Sequence, residues 1–195
     1  INDPNPVIFI ENRWCHYLYG NIEKLYKRKN KPIIKLNNGK DLTVLSNGYF
    51  SAEVFKICKF LKKFGVNVDM LHLRILSKNE NIELIKSVKK TRKILTIDSS
   101  YKNYGVSSEF LTNLFEKYND LKVKPIRIGI PFHPMPSSRG YINSVYPTKE
   151  KILKNILLLT KVSNYKSKMI RDLFKKSFKT DTKIDQPHSG FQGPF

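Results

Sequence analysis

Only two cysteines, Cys15 and Cys58, occur in the 195 residues, far apart and without a CxxC spacing. That scarcity excludes a disulfide-stapled small scaffold and points to reduced thiols. Apolar runs are short as well: none approaches the roughly 18 residues that a membrane-spanning helix needs. No secretory leader is visible, and the first residue is Ile1 rather than Met, so the sequence is expected to be part of a longer protein. No GxGxxG or Walker loop is present, and no His/Cys/Asp spacing resembles a zinc site; His133 and His188 lie too far apart to read as a metal pair. Acidic residues are few, 16 against 36 Lys and Arg, which leaves a net charge of +20. Such a balance suits phosphate backbones, anionic membranes or acidic partners. The excess, however, is lysine rather than arginine, comes with abundant Asn and Ile, and is scattered along the chain. The arginine–aromatic interleaving used by single-strand binders is missing. The charge therefore reads as compositional, with neither nucleic acid nor a membrane as the expected partner.

What is there is core-forming material: 40% hydrophobic residues, with 12 Phe and 10 Tyr, enough for one full domain and some extra chain. Pro6-Val-Ile-Phe-Ile10 is a continuous apolar, β-branched run, expected as a strand buried on both faces. With no earlier element to flank it, such a strand makes sense as the last one of a preceding domain. Asn38-Gly39, between the strand-like runs Lys31–Leu36 and Asp41–Ser46, predicts a tight β-hairpin, because both turn residues tolerate positive φ. A helix is expected from Ser51, as N-cap, to Phe64, burying Val54, Phe55, Ile57, Cys58 and Leu61 and ending at Gly65. Val66–Leu73 reads as the next strand, followed by a helix over 80–90 capped by Ser77 or Asn79. Ile94–Asp98 is a third strand. A polar loop to Gly105 then opens a helix carrying Phe110, Leu111, Leu114 and Phe115 at helical spacing. Pro125–Ile130 is a further strand, and the proline-rich 131–147 a non-helical excursion. Helices are expected from Thr148, burying Ile152, Leu153, Ile156, Leu157 and Leu159, and over Lys166–Phe178, ahead of a Pro/Gly-rich tail. Strand–helix alternation after a hairpin predicts an α/β fold. It would have three layers and a mostly parallel sheet of about five strands with one antiparallel edge strand.

Four stretches in register carry a family resemblance: Pro6-Val-Ile-Phe-Ile-Glu-Asn-Arg13, Gly39-Lys-Asp-Leu-Thr-Val-Leu-Ser-Asn-Gly48, Leu73-Arg-Ile-Leu76 and Ser87-Val-Lys-Lys-Thr-Arg-Lys-Ile-Leu-Thr-Ile-Asp98. Together with the closing Gly193-Pro194-Phe195, they resemble the β subunits of thiamine-dependent 2-oxo acid dehydrogenase E1 components, and more broadly the C-terminal domain of the transketolase family. The resemblance implies four segments: residues 1–24 as the end of a pyrimidine-binding domain, 25–30 as linker, 31–178 as a transketolase C-terminal-like domain and 179–195 as tail. It implies thiamine diphosphate with Mg in the full assembly and none on this chain, because the glutamate that activates the cofactor lies upstream of these residues. The implied role is subunit association and closure of one side of the active-site entrance, without catalysis by this chain alone. Implied partners are the chain's own preceding domain or an α-type subunit, in a homodimer or heterotetramer, and an E2-type acyltransferase; the implied location is cytoplasm or organelle matrix. The sequence departs from the family at Ser99, where a Glu is frequent, and at Tyr104, where a Gly is frequent. A surface at +20 also fits a basic acyltransferase docking module poorly.

On that footing Arg13 is the leading substrate-side residue, since related transketolases place an arginine there towards the substrate's anionic end. The alternative is an interdomain salt bridge. His16 joins it as a proton-handling candidate, against packing beside Trp14 and Tyr17. His72, within a strand, reads as structural. Ser99-Ser100 with Gly105 could cradle a phosphate at a helix N-terminus, but Ser107 or Ser108 as cap and Glu109 against the helix dipole explain the same residues. Phe110, Leu114 and Tyr118 read as core or as a dimer face. Two functions of other classes stay open at this stage: a basic nucleic-acid-binding module, and an α/β protein binding a small anion at the Ser99–Gly105 loop.

Overall fold

The computed structural model describes residues 4–19, 31–77, 81–178 and 190–192. The expected linker 25–30, Asn79, His188 and most of the tail 179–195 lie outside them. A single 3-10 turn, Arg13–Cys15, precedes the domain. The elements then run β1 (Ile33–Asn37), β2 (Leu42–Ser46), α1 (Gly48–Lys62), β3 (Val68–Leu73), α2 (Ile82–Thr91), β4 (Ile94–Tyr101), α3 (Val106–Lys117), β5 (Ile126–Ile130), a short α4 (Ile142–Val145), α5 (Lys149–Leu159) and α6 (Asn164–Ser177). The five strands are ordered β1-β3-β2-β4-β5. Every neighbouring pair is parallel except β1 with β3, so the antiparallel strand sits at the edge as expected.

Side chains alternate across the sheet and so feed two cores. Val44, Met70, Leu95, Ile97 and Ile128 pack against α1, α5 and α6 on one face. Leu45, Leu71, Leu73 and Ile94 pack against α2 and α3 on the other. The result is the three-layer α/β fold. Each fully buried Leu or Ile in it contributes about 1.5–3 kcal/mol of transfer free energy.

Several local expectations are corrected. The Asn38-Gly39 turn does not close a hairpin, because β3 lies between β1 and β2. Instead the turn clasps the start of β3: Lys40 N and Asp41 N both donate to the Asn67 carbonyl at 3.0 Å. In return Asn67 N donates to Asp41 Oδ2 at 2.7 Å. A Cβ on Gly39 would lie 2.3 Å from that same carbonyl, so glycine is required for close approach rather than for positive φ. Pro6–Ile10 forms no strand: Val7, Ile8, Phe9 and Ile10 are 63–88% exposed, and no described strand pairs with them. An apolar run without a ladder to join cannot satisfy its backbone as a strand. Helix α1 begins at Gly48 with Asn47 as N-cap, three residues before Ser51, and α2 is capped by Asn81 rather than Ser77. The 131–147 excursion contains a 3-10 turn at Arg139–Tyr141 and the one-turn α4, because its prolines cluster at the two ends. Phe115, expected among the apolar residues of α3, is partly exposed at the surface.

Candidate functional site

The Arg13 turn is held where β2 runs into α1, at the carboxyl end of a parallel strand, the usual place for function in such sheets. Asn12 caps the turn, its Oδ1 accepting from Trp14 N at 3.0 Å. The Asn12 side chain also covers Gly48, whose φ of +50° excludes most residues; a Cβ there would come 3.0 Å from Asn12 Nδ2. Trp14 anchors the turn by ring contacts to Tyr49 (5.5 Å, near-perpendicular), Phe50 and Tyr146 (4.8 Å). Such aromatic pairs contribute about 0.5–1.5 kcal/mol beyond burial. This packing presents both sequence candidates, Arg13 and His16, as exposed side chains on one turn. Arg13 makes no ion pair among the described residues, and His16 Nε2 meets Glu11 Oε2 at 3.3 Å. A guanidinium held this way can take a carboxylate or phosphate in bidentate fashion.

Behind the turn lies a buried polar relay. Ser46 Oγ contacts Ser51 Oγ at 3.0 Å, and Ser51 Oγ contacts His72 Nδ1 at 2.7 Å. Burial, then the like charge of Arg74, depresses the His72 pKa to about 4, so this imidazole is neutral at pH 7. It is structural, as its place in β3 suggested. Cys58 is likewise inert: burial raises its thiol to about 12. Burial raises Cys15 too. Among the described residues no three His, Cys, Asp or Glu side chains converge as a metal site.

The Ser99–Gly105 loop is organised by a residue that sequence reasoning passed over. Asp98, buried within β4 where its pairing with β5 shifts register after Ile97, accepts from Ser107 N at 3.1 Å through Oδ2 and from Ser100 N at 2.8 Å through Oδ1, and both serine hydroxyls donate to it as well. It thereby occupies the amino end of α3, whose own N-cap, Gly105, supplies no side chain. Neither Ser107 nor Ser108 is the cap. Phosphate is excluded from this helix end, because a carboxylate already neutralises it and would repel a second anion. Gly105 is fixed by crowding: a Cβ would lie 2.1 Å from the Tyr101 carbonyl and 2.3 Å from Ser100 Oγ.

Two more buried acids were missed. Asp69, with no side-chain exposure, joins Lys35 (3.2 Å), Lys90 (2.9 Å), Ser87 (2.6 Å) and Gly39 N (3.1 Å). Glu53 accepts from Tyr49 Oη and Lys56 at 3.0 Å each, and pairs with Lys149 at 3.1 Å. Their signal in the sequence was a lone acid inside an apolar run, as in Val68-Asp69-Met70.

These features define a class first: an open three-layer α/β domain with one antiparallel edge strand and an aromatic-anchored arm at the β2–α1 corner. Residues 33–152 match the family described as transketolase, C-terminal domain, and the chain belongs to that family. It is similar to the "Pyruvate dehydrogenase E1 component subunit beta" of Acholeplasma laidlawii, with 33% identity over 165 residues covering 83% of this chain and 50% of that one. The mitochondrial subunit of the same name from Saccharomyces cerevisiae is 28% identical over 170 residues, covering 80% of this chain and 44% of that one. A solved "Split gene transketolase, inactive beta4 tetramer" shares the fold, with a TM-score of 0.59, 18% identity, and coverage of 68% of this chain and 44% of that one. The chain thus spans about half the length of the curated relatives it matches.

The amino end of α3, the place where Ser99-Ser100 and Gly105 could have cradled a phosphate, does not fit the diphosphate of thiamine diphosphate, because Asp98 already fills it.

Proposed function

We propose that this chain is the C-terminal domain of a thiamine diphosphate-dependent 2-oxo acid dehydrogenase E1 β-like protein. In that reading residues 1–24 close a pyrimidine-binding domain, 25–30 link it to the 31–178 domain, and 179–195 form a tail. The domain serves subunit association and one wall of the active-site entrance, and thiamine diphosphate with Mg is held by other parts of the assembly. Its partners are the chain's own preceding domain and an α-type subunit, as homodimer or heterotetramer, in the cytoplasm or an organelle matrix. Docking of an acyltransferase through a basic module is disfavoured by the +20 charge.

The observation that carries this reading is the arm itself. Trp14 pins residues 12–16 onto α1, and Val7–Ile10 runs outward, apolar and exposed, as a segment that a neighbouring domain would cover. Arg13, unpaired among the described residues, then faces the joint between the two domains as the ligand for the substrate's carboxylate, with His16 beside it. Arg13→Gln in the full-length protein with its partner subunit tests this. The expected result is a KM for the 2-oxo acid raised at least tenfold with assembly unchanged, the loss of one bidentate ion pair at about 1.4 kcal/mol or more. An unchanged KM would remove Arg13 from the site.

A further inference from the structure

We propose a second ligand site on this domain, between α3 and the edge strand β5, for a small oxyanion with an apolar body. A cavity of about 540 Å³ opens there. Its volume is within the roughly 300–1,000 Å³ of small-molecule sites. Leu111, Phe115 and Ile126 form an apolar floor, and Lys102, Ser108 and Arg127 form the rim. No Asp or Glu lines it, and neither cation forms an ion pair among the described residues.

Arg127 is the decisive residue. It is half-buried on β5, and its Nη1 donates to the Lys102 carbonyl at 2.8 Å and to Ser108 Oγ. Those two bonds fix the plane of the guanidinium and leave Nε and Nη2 without partners among the described residues. A partly desolvated cation ordinarily carries a counter-ion. Here the protein orients the fork and supplies none, which is the arrangement for binding a carboxylate or phosphate monoester bidentately. Lys102 adds a second positive charge on the same rim, and the net charge of the chain draws anions towards it. The floor requires the ligand to be more than an inorganic ion: a ring or short hydrocarbon placed on Leu111 and Phe115 leaves water as its charged end meets Arg127. The site shares no residue with the Arg13 turn and stands whether or not the reading above holds.

Titration calorimetry with four probes tests it: phenylacetate, phenyl phosphate, benzyl alcohol and inorganic phosphate. At least one of the two ring-bearing anions is expected to bind tenfold or more tighter than both benzyl alcohol and inorganic phosphate, about 1.4 kcal/mol each for the charge and the ring. Preference between phenylacetate and phenyl phosphate assigns the headgroup. Because Arg127→Met could also loosen the 102–108 loop, two milder variants accompany it. Lys102→Met is expected to weaken binding about threefold, and Thr112→Glu, which puts a carboxylate on the exposed rim of α3, tenfold or more. The proposal is overturned by benzyl alcohol binding as tightly as the anions, by undiminished binding to Thr112→Glu, or by no saturable binding of either ring anion up to about 20 mM.

Discussion

Replacing Asp69 by asparagine keeps the volume of the side chain and removes only its charge. The carboxylate is completely buried, yet it ties four elements together: Lys35 of β1, the Gly39 turn, its own strand β3, and Ser87 and Lys90 of α2. Ser87 continues the network to Thr43 of β2 at 2.7 Å, and Thr43 reaches Thr91 at 2.7 Å. Burial alone would raise the Asp69 pKa, but the bonds from Ser87, Lys90, Gly39 and Lys35 hold it below the usual 3.8. In the asparagine variant one side-chain atom becomes a donor facing other donors. The two lysines are 34% and 38% exposed and can turn to water, so their loss is discounted. The main cost is the Ser87 hydroxyl or the Gly39 amide left without an acceptor, about 2–3 kcal/mol in all. For a chain of this size that lowers Tm by about 4–12 °C. The native pKa lies below the unfolded one, so the stabilisation is complete above about pH 5 and is lost as pH falls through the native value. Urea unfolding of both proteins from pH 7 to pH 3 is the assay. A difference below about 0.5 kcal/mol at pH 7, or one that persists undiminished at pH 3, would refute the charge-network account.

The other expectations concern separate parts of the domain. His72, at about 4 in the folded protein and 6.5 unfolded, makes stability fall by about 2–3 kcal/mol as pH drops from 6.5 to 4, and His72→Gln should flatten that slope in urea titrations. Gly105→Ala drives a methyl into the Tyr101 carbonyl and should cost about 2 kcal/mol or more by thermal denaturation, whereas Gly65→Ala, which meets no neighbour and strains only its φ of +78°, should cost about 1 kcal/mol. Trp14→Ala should release the arm, seen as rapid proteolysis near residues 12–16 while the thermal transition of the 31–178 domain falls by less than about 5 °C.

The architecture was legible because it rests on periodicity. Ile94–Asp98, Phe110–Leu114 and Ile152–Leu159 announce their elements by apolar spacing alone, and the strand–helix alternation dictates a parallel sheet. The hairpin was misread because Asn38-Gly39 answers a contact made beyond β2 and α1 in the sequence, which no local turn rule contains: Gly39 is small to admit the Asn67 carbonyl, and pairing partners are a tertiary choice. Pro6–Ile10 carries the composition of a strand, but composition cannot supply a neighbouring strand. Asp69, Asp98 and Glu53 were passed over for a related reason. A lone acid in an apolar run reveals that it is buried, not which donors surround it. Arg127 was hidden likewise, since it lies on β5 and the Lys102 carbonyl that orients it comes from the segment after β4.

The measurement closest to the central claim compares this 195-residue chain with the full-length protein and its partner subunit, at equal concentration, in thiamine diphosphate and Mg, for decarboxylation of a 2-oxo acid. The account predicts turnover by the assembly, with no turnover and no thiamine diphosphate binding by the chain alone. Cofactor binding and turnover by the isolated chain would contradict it.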